Sequence, residues 1–219
     1  MTSRPPFAAV IFDMDGLLLD SERIAIEIGR EAAEALGLAW RREVALAMIG
    51  RNATDNAAML MSEYGPDYPL DAHAAEFGRR YEKVIANGGI PLKPGVLELL
   101  DRLEALAVPR AVATSTAHAR AAFKLRCVGL LSRFEVLVGG DEIARGKPAP
   151  DIFLAAARRL GAEAARCLAL EDSNAGARSA LAAGMQVRIV PDLLQPDADV
   201  LAAGARLTRS LYDVLGEFK

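Results

Sequence analysis

Two aspartates one residue apart, Asp13 and Asp15, followed by Gly16, end an apolar run that begins at Val10. Side chains at i and i+2 of an extended segment point the same way, so the two carboxylates are expected to crowd each other. Like charges that close must share a proton or a cation. The pair therefore announces a metal site, an acid–base pair, or both. Three other segments set polar side chains just ahead of helical stretches: Thr114-Ser115-Thr116, Gly146-Lys147-Pro148 and Glu171-Asp172-Ser173-Asn174. Gathered at one place, these groups would suit a phosphate ester and a divalent cation. Helix amides and hydroxyls hold phosphoryl oxygens, and a lysine neutralises carboxylates and the transferring group. Carboxylates with phosphate oxygens form a hard shell suited to Mg²⁺. One aspartate can attack phosphorus while a second gives and takes a proton.

The elements that would gather them can be read from the apolar pattern. Ala8–Phe12, Arg110–Ala113, Glu135–Val138, Cys167–Leu170 and Gln186–Val190 are short apolar runs without the alternation of a half-exposed sheet, as expected of buried parallel strands. Helical stretches are expected at about Val96–Leu106, Ala117–Cys127, Asp151–Leu160 and Asn174–Ala183. This alternation implies a doubly wound, Rossmann-like α/β sheet with right-handed crossovers. Ligands in such a sheet sit outside the carboxyl ends of the strands, where all four polar segments fall. The stretch from Gly16 to Ile90 breaks the rhythm. It has helical period at Ser21–Leu36, Ala53–Tyr64 and Asp71–Ile85, and it is too long for a loop in a compact domain. A small helical bundle, residues 17–90, inserted into a core of residues 1–16 and 91–219 is the economical reading. Leu17–Leu19 and Gly88–Pro94 would be its tethers and act as a hinge.

Composition narrows the class. At 219 residues with 25% charged residues and a net charge of −3, the chain has no polybasic field for nucleic acid or an anionic membrane. Met1–Pro6 lacks the form of a signal peptide, and no apolar run reaches the roughly 20 residues that span a bilayer. Cys127 and Cys167 read as reduced packing residues of a cytoplasmic protein, and His73 and His118 form no zinc-spaced group. The expected partner is a small-molecule phosphate ester, with no nucleic acid and no membrane. The expected form is a monomer or weak homodimer.

The pattern Asp-x-Asp-Gly-x-x-x-Asp-Ser-Glu from Asp13 to Glu22, then Thr114, Gly-Lys-Pro-x-Pro from Gly146, and Glu171-Asp172-Ser173 resembles the haloacid dehalogenase superfamily. It is most similar to the subgroup with a helical cap after the first strand, which includes sugar-phosphate phosphatases and β-phosphoglucomutases. The resemblance covers essentially the whole chain. It implies Asp13 as the nucleophile that becomes an aspartyl phosphate. It implies Asp15 as the acid–base residue whose backbone carbonyl also ligates Mg²⁺. Thr114 and the Ser115 amide would hold the phosphoryl group, with Thr116 assisting and Gly16 alongside. Lys147 would bridge Asp13 and the phosphoryl oxygens. Asp172 would bind Mg²⁺, with Glu171 direct or through water, while Ser173 and Asn174 position the metal's waters. Dehalogenases lack the second aspartate, which is present here. Phosphonatases use a cap lysine, and the only lysine between Ala25 and Ile85 is Lys83. Where mutases of this type carry a cap histidine and a phosphate-binding cap arginine, this chain has Ala25 and Ala53. The expectation is a Mg²⁺-dependent phosphatase, with a phosphomutase as the alternative. From another class, a receiver-like phospho-aspartate signalling domain is a further alternative, disfavoured by the helical insertion and by the Glu171-Asp172 pair.

Plainer readings stand beside these. Asp13 and Asp15 could form a turn with an Asx cap, and Lys147 alone could be a surface lysine in a turn. Glu171-Asp172-Ser173 could cap a helix, and Thr114 could be the N-cap of the helix from Ala117. Glu22, Arg51 and Asn52 are candidates for cap-side substrate contacts, with solvated surface or salt bridges as the alternative. Trp40, Met48, Met59 and Met61 read as cap core, and His118 as a helix-surface residue beside the phosphate site.

Overall fold

The computed structural model describes residues 6–218, so the reading of Met1–Pro6 falls largely outside the described residues. Strands β1 (Ala9–Phe12), β2 (Arg110–Ala113), β3 (Val136–Val138), β4 (Cys167–Glu171), β5 (Gln186–Ile189) and β6 (Arg206–Leu207) form one sheet in the order β3-β2-β1-β4-β5-β6. Every pairing is parallel. This is the doubly wound, Rossmann-like α/β fold that the sequence implies. Glu171 is the last residue of β4 and not the first of the following loop. Strand β6 carries no apolar run, being two exposed residues at the sheet edge.

Helices α1 (Glu22–Ala35), α2 (Arg42–Ala47), α3 (Ala53–Tyr64) and α4 (Leu70–Ala86) follow β1, and α5 (Val96–Ala105) precedes β2. Helices α6 (His118–Cys127), α7 (Asp151–Arg159), α8 (Asn174–Ala182), α9 (Ala198–Ala202) and α10 (Leu211–Leu215) complete the chain. The short helices α2, α9 and α10 have too few turns to leave a periodic signature. Among the described residues, no helix is long and apolar enough to cross a membrane.

The strand period of two divides the core between the two faces of the sheet. Val10, Phe12, Val112, Leu168 and Leu170 meet α5, α6 and α10 on one face. Ala9, Ile11, Ala111, Ala113 and Ala169 meet α7 and α8 on the other. The second face is built largely of alanines from both strands and helices, so α7 and α8 can approach the sheet closely. The helical insertion has a small cluster of its own around Val44, Leu60 and Tyr68, supported by Met48, Met59 and Met61. Trp40 packs instead over Gly29, beside His73. Ile28, Tyr81 and Ile85 of α1 and α4 join the larger core cluster, so the insertion is seated on the sheet layer. Its tethers lie side by side, with Lys93 N–H donating to the Leu18 carbonyl at 2.9 Å and Asp20 N–H to the Pro91 carbonyl at 2.9 Å. Both cysteines are free, but Cys127 is exposed and so is not the packing residue expected; it ends a helix whose buried side is Ala121, Lys124 and Leu125.

Leu100 of α5 is fully buried in the larger cluster. Leu100→Ala is expected to cost about 2–5 kcal/mol, read as a lower urea midpoint at unchanged slope. A loss below about 0.5 kcal/mol, the surface level, would contradict this packing.

Candidate active site

Strand β1 lies between β2 and β4, the point where the strand order reverses and a crevice opens at the carboxyl ends. Asp13 leaves β1 there, with its N–H bonded to the Leu170 carbonyl at 2.9 Å. Glu171 ends the adjacent β4 and Asp172 follows it. Lys147 arrives from the loop between β3 and α7. Carboxylate oxygens of Asp13, Glu171 and Asp172 come within 4.8 Å of one another, and all three residues are buried. The Lys147 ammonium donates to Asp13 and, at 2.5 Å, to Glu171. It also lies 5.2 Å from the centre of the Phe153 ring. Glu171 is fastened further by N–H groups of Asp172 and Ser173 and by the Ser173 hydroxyl at 3.0 Å.

The electrostatics follow from burial. Desolvation pushes the Asp13 carboxyl up to about 7, although Lys147 pulls it down, and Glu171 adds to the rise. Asp172 is raised well above the ordinary carboxylate range, first by burial and then by Asp13 and Glu171. Burial would lower Lys147, but Asp13 and Glu171 outweigh it and keep the ammonium protonated. Three buried carboxylates against one ammonium leave the cluster short of positive charge. A hard divalent cation fits that deficit and this all-oxygen donor set.

Gly16 makes the approach possible. Its φ is +86°, and a Cβ there would stand 2.1 Å from Asp172 Oδ2. Both the left-handed backbone and the contact exclude an ordinary side chain.

Asp15 departs from expectation: its carboxylate is not left to crowd Asp13. Oδ1 accepts from the Ser21 hydroxyl and the Lys124 ammonium, each at 2.6 Å, and Oδ2 accepts from the Thr116 hydroxyl at 2.8 Å. The chain turns after β1, with Asp15 bridging to Leu19, so the alternation of an extended strand stops short of Asp15. Burial would raise its pKa, but the Lys124 charge and these hydrogen bonds outweigh it and hold it low. Asp15 thus belongs to a second charged group beside the cluster, and its carboxylate is not among the three gathered acids. Ser21 heads α1 without capping it, giving its hydroxyl to Asp15 where an N-cap usually gains about 1 kcal/mol.

The remaining candidates divide. Thr114 is buried, and its hydroxyl accepts from Thr116 N–H at 3.2 Å; the residue flanking α6 is Ala117, so Thr114 is not its N-cap. The Ser115 hydroxyl donates to the Gly50 carbonyl at 3.0 Å, joining this edge to the insertion. Gly50 (φ +76°) packs on Ser173, where a Cβ would meet Ser173 Oγ at 2.7 Å. Asn52 caps α3 through Asp55 N–H and lies against Gly146, next to Lys147. Arg51 is exposed and turns its Nε back to the Ala47 carbonyl at 3.0 Å, a local helix contact of the plainer kind. Glu22 is set against Gly16, with its pKa pushed up to about 8 by burial and then by Asp15. Asn174 is tied to Gln195 and Asp197, and His118 is half-buried and paired with Glu142 at 2.8 Å. Lys124 and Ser21 are site residues to which the sequence motifs assign no role. The signal for Lys124 was a lysine on the apolar side of α6, between Ala121 and Leu125.

Comparison with known proteins identifies the family. The sequence profile of the haloacid dehalogenase-like hydrolases matches residues 7–184. The chain is 36% identical to protein CbbY of Rhodobacter capsulatus over 211 residues, covering 91% of this chain and 92% of that one. It is 31% identical to the phosphorylated carbohydrates phosphatase of Thermotoga maritima over 198 residues, covering 90% and 91%. A solved CbbY variant from Rhodobacter sphaeroides, in complex with xylulose-1,5-bisphosphate, superposes with a TM-score of 0.81 at 28% identity, covering 94% and 95%. The chain belongs to the haloacid dehalogenase-like hydrolases. Within them it is a phosphoric monoester hydrolase.

Because the folded-state pKa of Glu22 lies above the ordinary 4.5, its contribution to stability is complete below that value and is lost as pH rises through about 8. Glu22→Gln mimics the protonated form. In metal-free protein its thermal midpoint is expected to gain on wild type progressively across that window. A pH-independent difference between the two would contradict the assignment.

Proposed function

We propose that the protein is a Mg²⁺-dependent phosphatase that hydrolyses a small, sugar-phosphate-like metabolite through an aspartyl phosphate on Asp13. The observation that carries this reading is the convergence of Asp13, Glu171 and Asp172 within 4.8 Å at the switch point, with Lys147 among them. A relative named for phosphorylated carbohydrates and a structural neighbour in complex with a sugar bisphosphate favour a sugar phosphate.

Asp13, Asp172 and the Asp15 carbonyl would hold Mg²⁺, with Glu171 direct or through water. When bound, the ion supplies the positive charge that the carboxylates and phosphoryl oxygens require. Asp13 Oδ attacks phosphorus, and Lys147 keeps that carboxylate oriented and offsets charge on the transferring group. Thr114 and the Ser115 amide receive the phosphoryl oxygens. Asp15, held ionised in the free site, takes up the proton that a monoanionic phosphate ester brings, passes it to the leaving oxygen, then takes one from the water that attacks the aspartyl phosphate. The uncatalysed reaction is slow enough that the site must supply roughly 20 kcal/mol or more, mostly through positioning and electrostatics. Residues 17–90 act as a cap, with Gly50 and Asn52 seated on Ser115, Ser173 and Gly146, which keeps bulk water out during the reaction.

Asp13→Asn is expected to abolish release of phosphate from p-nitrophenyl phosphate while the circular dichroism stays that of wild type; retained turnover refutes the nucleophile. EDTA is expected to stop hydrolysis and Mg²⁺ to restore it, in the same phosphate-release assay. Metal-independent turnover would contradict the site described.

A further inference from the structure

Lys124 is buried on α6 between Ala121 and Leu125, a costly place for an ammonium ion. Two contacts offset that cost. One is the 2.6 Å bond to Asp15 Oδ1; the other is the face of Tyr81 on α4, whose ring centre lies 4.9 Å from Nζ. Lys124 therefore touches both the proton-transfer carboxylate and the inserted helical layer. The other donors to Asp15, Ser21 and Thr116, are neutral hydroxyls that can rotate and can act as acceptors instead. All three bonds to the ionised carboxylate are charge-assisted, but Lys124 alone brings a full opposite charge to it. At the solvent side of the same seam Arg120 of α6 faces Glu82 of α4 at 3.8 Å, an exposed pair that spans the same two helices.

We propose that Lys124 is a positioning residue: its ammonium fixes the Asp15 carboxylate and, by lying against Tyr81, makes that placement depend on the cap being seated. Opening of the cap withdraws the ring that shelters the ammonium. Closure over substrate restores the shelter and the orientation of Asp15 together. The residue does not touch phosphorus, and it acts on the reaction only through Asp15. The inference rests on the phosphatase reading above.

The test uses full-length wild type, K124M, K124R, Tyr81→Leu, Asp15→Asn and the Asp15→Asn/K124M double variant. kcat/KM is measured for ethyl phosphate and p-nitrophenyl phosphate, because kcat/KM reports steps up to departure of the leaving group. Ethoxide needs a proton and nitrophenolate does not. K124M is expected to lose about 10- to 100-fold on ethyl phosphate, within the range general acid catalysis contributes, with little change on the aryl ester. K124R should recover part of the loss, and Tyr81→Leu should show a smaller loss of the same kind. In the Asp15→Asn background K124M should add nothing. Equal losses on both esters, or an undiminished K124M effect without the Asp15 carboxylate, overturn the proposal, since a purely structural lysine would behave that way. Crystal structures of K124M and Tyr81→Leu read the placement without turnover, whether or not wild type hydrolyses either ester. Asp15 leaving Ser21 and Thr116 in both supports the proposal. Asp15 unmoved in both overturns it, and movement in K124M alone overturns the coupling to the cap.

Discussion

The Lys147 ammonium, buried against Asp13 and Glu171 with Asp172 alongside, is the interaction on which the site depends. Burying one carboxylate costs several kcal/mol even after relaxation, and this cluster buries three. A single lysine cannot balance them, so two of the acids are pushed towards their neutral forms. The charge deficit is the chemical property of the site: it is a standing demand for a cation, and an anionic phosphoryl group can be received there only with one. The same demand explains why Gly16 must be glycine, since a side chain there would occupy the edge of Asp172.

The fold satisfies that demand by geometry alone. A central strand flanked by β2 and β4 delivers residues far apart in sequence to one crevice, and the alanine-lined face beneath lets α7 and α8 come close. Helix α8 begins at this edge with Ser173 as its N-cap, the hydroxyl accepting from Gly176 N–H at 3.1 Å and donating to Glu171. Capping and holding the acid are done by one side chain. The second charged group, around Asp15 and Lys124, is balanced on its own terms, which separates a neutral pair from an unbalanced cluster a few residues away.

Much of this was legible in the sequence. The apolar strands and the polar residues that end them identify the sheet and its active edge, because a parallel sheet buried on both faces leaves continuous apolar runs. Asp13, Lys147, Glu171 and Asp172 stand in recognisable local patterns, and the structure brings them together. The direction of the Asp15 side chain was not legible: strand alternation ceases where the chain turns to meet Leu19. Nor was its partner, since Lys124 lies in a helix with no motif and its role exists only through a contact far along the chain. For Arg51 the sequence leaves a substrate contact and a plain surface role side by side, and its Nε bonds the Ala47 carbonyl of the preceding helix. The short β6, α2, α9 and α10 have too few residues to express a period.

Buried together with a single ammonium, Asp13, Glu171 and Asp172 should give up protons on binding a divalent cation. Titration of the metal-free protein with Mg²⁺ by calorimetry near pH 6.5, repeated in buffers of different ionisation enthalpy, measures this directly. Saturable binding is expected, with release of about one proton or more per ion, because ligands must deprotonate to bind a metal. No binding, or binding without proton release, would contradict it.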